Sequence, residues 1–450
     1  MKKLKLLPSI LMLVLCVGVL AVGVFAITPT KNQITGSITI NAVNEAVEIT
    51  AYNVILDNNG NETSRTKIGD TVYSRAGTEI GLNSLQFDTN NKNEVDEVSN
   101  INIVLSVKNT TSEGLGVYFA TSSNGEATAT TAPIKLGGTS ENSGEVITEM
   151  VQADFSGYTP IAVGLTKDVK ITFSLLKFHT EKVVVDLSGF NISLNIQPVN
   201  TSVLGWSEVG TVGQTYNGFS EPWAGDDYSL VNVVIKDGVT GLGELALAQC
   251  QNLENLILPD TLVNFNALDS LALGNKSKLN YNIDDNNPGL KYLGSFKNPF
   301  MMLISADSSI TEINIHNKCE YIFTNAFNNC SNVTNNKLVL PDSIKYISTN
   351  SLTGLTSLTE VSIPASINGF RMPIVDSNPF DICINYAITI RSGIVEKNIY
   401  VSSFIEVNEP TTGTNIGFYT QKNGTGEKVD MVTAGTVLQE PLTVYFHPYA

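Results

Sequence analysis

The chain has little positive charge for its length. Its 450 residues include 27 lysines and arginines but 43 aspartates and glutamates, which gives a formal net charge of −16 at pH 7. Nucleic-acid binding depends on neutralising phosphates with lysine and arginine, so a surface this acidic repels a nucleic-acid backbone. Nucleic acid is therefore a poor candidate partner, whereas a soluble extracellular protein fits this charge.

Histidine is scarce, at three residues. His179 lies in a strand-like run and His447 near the C-terminus, so we expect each to be a surface or packing residue. His316 and Cys319 have the spacing of two metal ligands, but a structural zinc site needs about four and no second pair lies nearby. The sequence also contains no nucleophile elbow, no zincin helix motif and no phosphate-binding glycine loop. We therefore expect no catalytic residue, no metal site and no cofactor.

Cysteine is too rare for a disulfide framework, with five residues at positions 16, 250, 319, 330 and 383. Cys250 and Cys330 occupy the same position within a repeated phrase in the third quarter of the chain. This coincidence favours small buried packing residues over a disulfide bridge.

Only one long apolar run occurs, from Ser9 to Ala26, and three lysines precede it among the first five residues. A basic start, an uncharged apolar stretch and small residues before the cleavage point predict a signal peptide over residues 1–26, cut after Ala26. About 20 apolar residues can also span a bilayer, so an uncleaved anchor is the alternative. The polar, threonine-rich segment that follows favours cleavage. We therefore expect a secreted or cell-surface protein with no membrane span after cleavage.

Residues 27–200 alternate between polar and apolar side chains, with many β-branched residues and with loops of Asn, Gly, Ser and Thr. The clearest runs are Ser37–Ile40, Asn102–Val107, Val169–Leu175, Val183–Leu187 and Phe190–Ile196. Period-two alternation with so little helical periodicity predicts an antiparallel β-sandwich.

From about residue 202 a phrase recurs imperfectly, starting at Val233, Leu256, Ile313, Leu338 and Val361. The expected strand ends are Ile235, Leu258, Ile315, Leu340 and Ile363, with 23 residues between the first pair and again between the last pair. A second landmark follows 11 residues later in the better units, at Ala246, Ala326 and Ser351. Each unit then supplies a short strand, a turn and a second segment that is helical or irregular. Because one unit cannot bury its apolar side alone, such units are expected to stack into a solenoid.

The segment from Pro222 to Phe370 resembles the BspA-type leucine-rich repeats of bacterial surface proteins. The resemblance is carried by Val233–Thr240, Asn325–Asn332 and Leu340–Ile344, and by an insertion from Asn282 to Leu303 that is similar to a variant unit of that family. It implies a solenoid over residues 202–372, export from the cell and a role in adhesion.

The last segment alternates again and resembles the Listeria–Bacteroides repeat of surface proteins through Gly417–Thr420, Asn423–Val429 and Leu442–Phe446. It is expected to form a small β-rich module over residues 384–450. The expected fold class is therefore mainly β and multidomain: an N-terminal antiparallel β-sandwich over residues 27–200, a short leucine-rich-repeat solenoid containing short helices, and this C-terminal module.

These features predict a non-enzymatic, exported bacterial protein that adheres to a protein or glycan at a cell surface. The candidate ligand-binding residues are the outward strand positions Asn232, Asn255, Glu312 and Glu360, with Asn298 and Phe300 in the insertion. One alternative is a matrix protein that self-associates through exposed edges of the sandwich. Another is an unrecognised hydrolase within residues 27–200, built around His179.

Overall fold

The structure is a computed structural model. It describes residues 33–42, 47–57, 59–73, 77–82, 85–87, 100–121, 128–129, 132–176, 182–187, 192–199, 206–216, 229–243, 246–263, 273, 275–348, 350–370, 386–401 and 417–447. The expected signal peptide, His179 and Cys383 lie outside the described residues.

The described residues form short strands joined by turns. The first group is β1 (Gln33–Thr35), β2 (Ser37–Ala42), β3 (Val47–Leu56), β4 (Glu62–Tyr73), β5 (Thr78–Gly81), β6 (Asn100–Asn109), β7 (Leu115–Thr121), β8 (Thr128–Ala129), β9 (Ile134–Ser140), β10 (Val146–Phe155), β11 (Thr159–Ile161), β12 (Thr166–Leu175), β13 (Val183–Asp186) and β14 (Ile192–Pro198). The second group is β15 (Ser207–Val209), β16 (Thr215–Tyr216), β17 (Asn232–Ile235), β18 (Gly241–Leu242), β19 (Asn255–Ile257), β20 (Asn282–Asp284), β21 (Asn287–Leu293), β22 (Met302–Ala306), β23 (Tyr321–Ile322), β24 (Lys337–Val339), β25 (Tyr346–Ile347), β26 (Glu360–Ile363) and β27 (Gly369–Phe370). The third group is β28 (Ala387–Ile390), β29 (Gly393–Ile394), β30 (Ile399–Tyr400), β31 (Gly417–Gln421), β32 (Thr425–Lys428), β33 (Met431–Val432), β34 (Val437–Leu438) and β35 (Leu442–His447).

The chain divides into two compact units. The first unit holds residues 1–108, 116–159 and 166–197, and the second unit holds residues 109–115, 160–165 and 198–450. The two units are described separately below.

The first unit contains two β-sheets. One has eight strands in the order β1-β13-β9-β10-β12-β6-β3-β4, and the other contains the run β7-β14-β2-β5. Most pairs are antiparallel, such as β10 with β12, although β1 pairs with β13 in parallel.

Side chains in these sheets alternate between interior and surface. Along β12, Val169, Ile171 and Phe173 are fully buried, as the period-two pattern predicts. Phe119 on β7 and Phe155 on β10 lie 5.6 Å apart between ring centroids, so side chains of the two sheets meet in one core. The predicted β-sandwich is confirmed.

In the second unit the repeats stack strand on strand. Strand β17 pairs in parallel with β19, and β24 pairs in parallel with β26, each in the register of the 23-residue repeat. In the units that begin at Val233, Ile313 and Leu338, the described part of the second segment is a two-residue strand followed by turns. Strands β23, β25 and β27 pair in parallel. The expected short helices are therefore replaced by strands and turns in the described repeats. Apolar residues at equivalent positions, including Val233, Leu256, Leu338 and Val361, are buried between neighbouring units.

The strand expected at Ile313–Ile315 is not formed, and this segment is a loop. Strand β22 of the insertion carries the apolar run Met302–Ile304 and pairs in parallel with β23, in the sheet that the second segments of the repeats form. Ile313 is buried although it lies on a loop. Glu312 consequently lies on a loop and not on the strand where it was expected.

The C-terminal strands continue the repeat sheet. Strand β28 pairs in parallel with β26 on one side and antiparallel with β35 on the other. The resulting sheet has the order β24-β26-β28-β35-β31-β32. Ile388, Ile390, Val444 and Phe446 on these strands are buried. Within the described part of the chain, no helix has the length and apolar character that crossing a membrane requires.

Candidate functional site

The first two candidate residues belong to a ladder of asparagines that runs across adjacent repeats. Asn255 donates a hydrogen bond from Nδ2 to Oδ1 of Asn232 at 2.7 Å, and Asn280 donates from Nδ2 to Oδ1 of Asn255 at 3.1 Å. Asn232 and Asn255 are also register partners in β17 and β19. Their side chains therefore hold one repeat to the next.

Glu360 belongs to a second polar ladder, on the sheet that contains β26. Its carboxylate pairs with Lys337 at 2.6 Å and accepts a hydrogen bond from the Thr389 hydroxyl at 3.0 Å. Thr389 in turn hydrogen-bonds Thr443 at 2.9 Å. Like the asparagine ladder, this second polar ladder links neighbouring strands. The Glu360 carboxylate, which was expected to contact a ligand, makes contacts within the protein instead.

The candidate residues of the insertion have internal contacts. Asn298 donates from Nδ2 to the Lys318 carbonyl oxygen at 2.9 Å. Phe300 is buried, stacks on His316 at 3.9 Å between ring centroids and meets the edge of Tyr292 at 5.4 Å. Burial lowers the pKa of His316. Its ring packs against Phe300, so His316 is a packing residue. Ligand binding by Asn298 and Phe300 stays a prediction.

A cavity of about 510 Å³ lies at the tip of the inserted hairpin. One wall is the hairpin segment 286–290, and the other is the loop that follows β22, through residues 307–314. Its polar lining includes Asn286, Asn287, Asp307, Ser309, Glu312 and Asn314. Of the six candidate residues, Glu312 lines this cavity.

Hydrogen bonds within the hairpin fix the first wall. The buried Asp284 carboxylate accepts from the Asn286 backbone N–H at 3.0 Å, from Asn286 Nδ2 at 3.1 Å and from Asn287 Nδ2 at 3.3 Å. Burial alone would raise the pKa of Asp284, but these hydrogen bonds outweigh it and hold the pKa below its usual value. Asp284 is therefore a stable anion that orients both asparagine amides.

The two walls are joined by close backbone contact. The Asp307 N–H donates to the Gly289 carbonyl oxygen at 2.9 Å. A Cβ at position 289 would lie 2.2 Å from Cγ2 of Ile310, so only glycine allows the loop this near. Lys291 forms an ion pair with Asp307, which neutralises that carboxylate, whereas Glu312 is exposed on the cavity wall.

Cys250, Cys319 and Cys330 of the described repeats are buried thiols and form no disulfide bond. Cys250 and Cys330 pack in the core as predicted. Cys319 donates from its thiol to the Tyr321 carbonyl oxygen at 3.3 Å, and burial raises its pKa to about 12, so it has no thiolate character. Within the described residues, no group of three His, Cys, Asp or Glu side chains could hold a metal ion.

Asn286, Asn287 and Pro288 line the cavity at the tip of the insertion but were not among the candidate residues predicted from the sequence. The signal that could have found them is the run Asp284-Asp285-Asn286-Asn287-Pro288-Gly289, because consecutive Asp, Asn, Pro and Gly residues mark an exposed turn.

Residues 225–288 and 304–420 match the family model described as BspA type Leucine rich repeat region, in six copies. This part of the chain is a BspA-type leucine-rich repeat region. The match confirms the resemblance and extends to residue 420, beyond Phe370, where the resemblance seen in the sequence ends. Residues 289–303 of the insertion fall in the gap between the two matched ranges, and Gly289 and Leu290 are the described cavity-lining residues that lie in this gap.

The BspA-type match covers less than half of the chain. No match to a Listeria–Bacteroides repeat accompanies it over residues 384–450, and that assignment stays a prediction. No curated protein and no solved structure matches the chain.

Proposed function

We propose that the protein is an exported bacterial binding protein whose BspA-type region adheres to a protein or glycan at a cell surface. The observation that carries this proposal is the six-copy BspA-type match, since proteins of that family are typically found at the surface and in adhesion. In this proposal the protein acts by binding alone, without a catalytic step.

The architecture of the second unit supports a binding role. Stacked repeats present an extended surface, and the Asn232–Asn255–Asn280 ladder fixes the register between neighbouring units. A frame held in this way presents its loops at fixed spacing. A preorganised surface loses less conformational entropy when it binds a partner.

The adhesion proposal is tested with inert beads coated with the whole protein and washed over cell monolayers, matrix proteins and mucin. We expect the beads to adhere, and we expect antibody fragments raised against the second unit to block adhesion. Fragments raised against the first unit are the matched control and should leave adhesion unchanged. Failure of the beads to adhere to every surface, or blocking only by fragments against the first unit, would overturn the proposal.

Export is tested by fractionating the producing cells and sequencing the N-terminus of the recovered protein. The proposal expects a mature start at Ile27, in the medium or loosely attached to the cell wall. Intact Met1 in the membrane fraction would instead show that the first segment is an uncleaved membrane anchor. The BspA-type region would then be held at the surface of the producing cell.

A further inference from the structure

We propose that the hairpin cavity is a glycan site that takes one or two units of an uncharged sugar chain. The cavity is the space of about 510 Å³ between hairpin residues 286–290 and loop residues 307–314. This inference rests on the proposed function and gives it a ligand class and a location.

The size of the cavity fits a small carbohydrate. Ligand pockets in proteins typically measure about 300–1,000 Å³, and this cavity falls within that range. It opens toward solvent, with Asn286, Pro288 and Glu312 exposed on its walls. An open cavity of this kind admits the end of a chain that continues into solvent, as a surface glycan does.

Its polar groups fit hydroxyls better than any other common ligand group. One amide hydrogen of Asn286 and one of Asn287 are directed to Asp284, which leaves each amide oxygen to accept a hydrogen bond and the second amide hydrogen to donate one. The Glu312 carboxylate adds a charged acceptor, and Ser309 and Thr311 add hydroxyls that donate or accept. Such a mixture of acceptors and donors matches sugar hydroxyls, which both donate and accept hydrogen bonds.

The lining also has apolar surface suited to the C–H face of a sugar ring. Pro288, Leu290 and Ile310 line the same cavity. Ile310 packs closely against Gly289, since a Cβ at residue 289 would lie 2.2 Å from its Cγ2. Apolar area beside a few oriented polar groups is the usual composition of a small-molecule site.

Charge selects against acidic glycans. No lysine or arginine is among the described residues that line the cavity, and Lys291, which follows the lining segment 286–290, is paired with Asp307. A sialylated or sulfated sugar would place its negative charge beside the Glu312 carboxylate, and the described lining has no lysine or arginine to neutralise that charge. Like charges that meet in a binding site weaken binding, so neutral sugars are preferred.

The test is a glycan array that carries neutral, N-acetylated, sialylated and sulfated oligosaccharides, probed with the whole protein. The best neutral oligosaccharide is then titrated against the wild-type protein, E312Q and E254Q. Glu254 is exposed in the same unit and lies outside the cavity lining, which makes E254Q the matched control. We expect binding to neutral sugars and about tenfold weaker binding by E312Q, because a charged acceptor is stronger than its amide replacement. E254Q should bind like the wild-type protein.

The outcomes separate this inference from the proposed function. Selective binding of sialylated or sulfated sugars, or equal binding of neutral sugars by E312Q and the wild-type protein, would overturn the glycan site. Absence of any sugar binding while coated beads still adhere would also overturn it and leave the adhesion proposal standing. Absence of both sugar binding and bead adhesion would overturn both.

Discussion

At the scale of single residues, Ser351 departs from the repeat that surrounds it. Equivalent units place Ala246 and Ala326 at this buried position, and Ser351 is fully buried as well. Its hydroxyl has no hydrogen-bond partner among the described residues. A buried hydroxyl without a partner costs about 1–3 kcal/mol of stability.

Replacing Ser351 with alanine should therefore stabilise the second unit. We expect S351A to raise the free energy of unfolding by about 1 kcal/mol, measured by urea denaturation. S343A is the control, because the Ser343 hydroxyl donates to the Cys319 carbonyl oxygen at 2.6 Å and its loss should destabilise by about 1 kcal/mol. A lower stability for S351A would show that the hydroxyl is satisfied in solution.

At the scale of elements, the repeat strands are joined by polar ladders as well as by backbone hydrogen bonds. Asn255 both donates to Asn232 and accepts from Asn280, so it links three consecutive turns of the solenoid. In the second ladder, Glu360 connects Lys337 to Thr389. A polar side chain at the start of a repeat strand is therefore part of the scaffold and not only a group available to a ligand.

The asparagine ladder can be measured with a double-mutant cycle on N232A and N255A. We expect a coupling free energy of about 0.5–1 kcal/mol in urea unfolding, because both single variants remove the same side-chain hydrogen bond. Pairing N232A with V263A supplies the control, since Val263 is exposed and is not part of the ladder. Additive effects of N232A and N255A would contradict a direct interaction.

Because the repeat sheet continues into β28, we expect β26 and β28 to unfold together. Strand β28 is bonded to β26 on one side and to β35 on the other. We expect the backbone amides of β26 and β28 to exchange with deuterium at the same rate, as parts of one cooperative unit. Much faster exchange of β28, with β26 still protected, would instead indicate an independent C-terminal module.

The periodic sequence predicted the strands well where neighbouring units repeat. Strands β17, β19, β24 and β26 were predicted because apolar residues return at the same places every 23 residues. The strand at Ile313–Ile315 was predicted by the same rule and was wrong, since this segment is a loop even though Ile313 is buried. Whether an apolar segment forms a strand depends on its neighbours in the folded protein, and local periodicity carries no record of them.

The candidate site was predicted only in part, for a similar reason. Glu312 was chosen as an outward strand residue, yet it reaches the cavity from a loop. Asn286 and Asn287 lie on the opposite wall, and only the folded hairpin brings them near Glu312. Sequence patterns within one segment cannot show that two separate loops form the walls of one cavity.

At the scale of the whole molecule, the features that suggest binding fall in one of the two units. The six-copy BspA-type match, both polar ladders and the hairpin cavity all belong to the second unit. The first unit is a filled sandwich whose eight-stranded sheet ends at β4, where Glu62, Arg65, Lys67 and Asp70 are exposed. Charged side chains on an edge strand oppose edge-to-edge pairing, which disfavours assembly through this edge.

Adhesion of the second unit through the hairpin cavity is tested most directly by a bulky side chain that fills the cavity. Ser309 is exposed and lines the cavity, whereas the neighbouring Ser308 is exposed but does not line it. The measurement is adhesion of beads coated with the whole protein as wild type, S309W or S308W, after urea unfolding has shown equal stability. We predict that S309W loses adhesion while S308W adheres like the wild type. Equal adhesion by S309W and the wild type would contradict the claim.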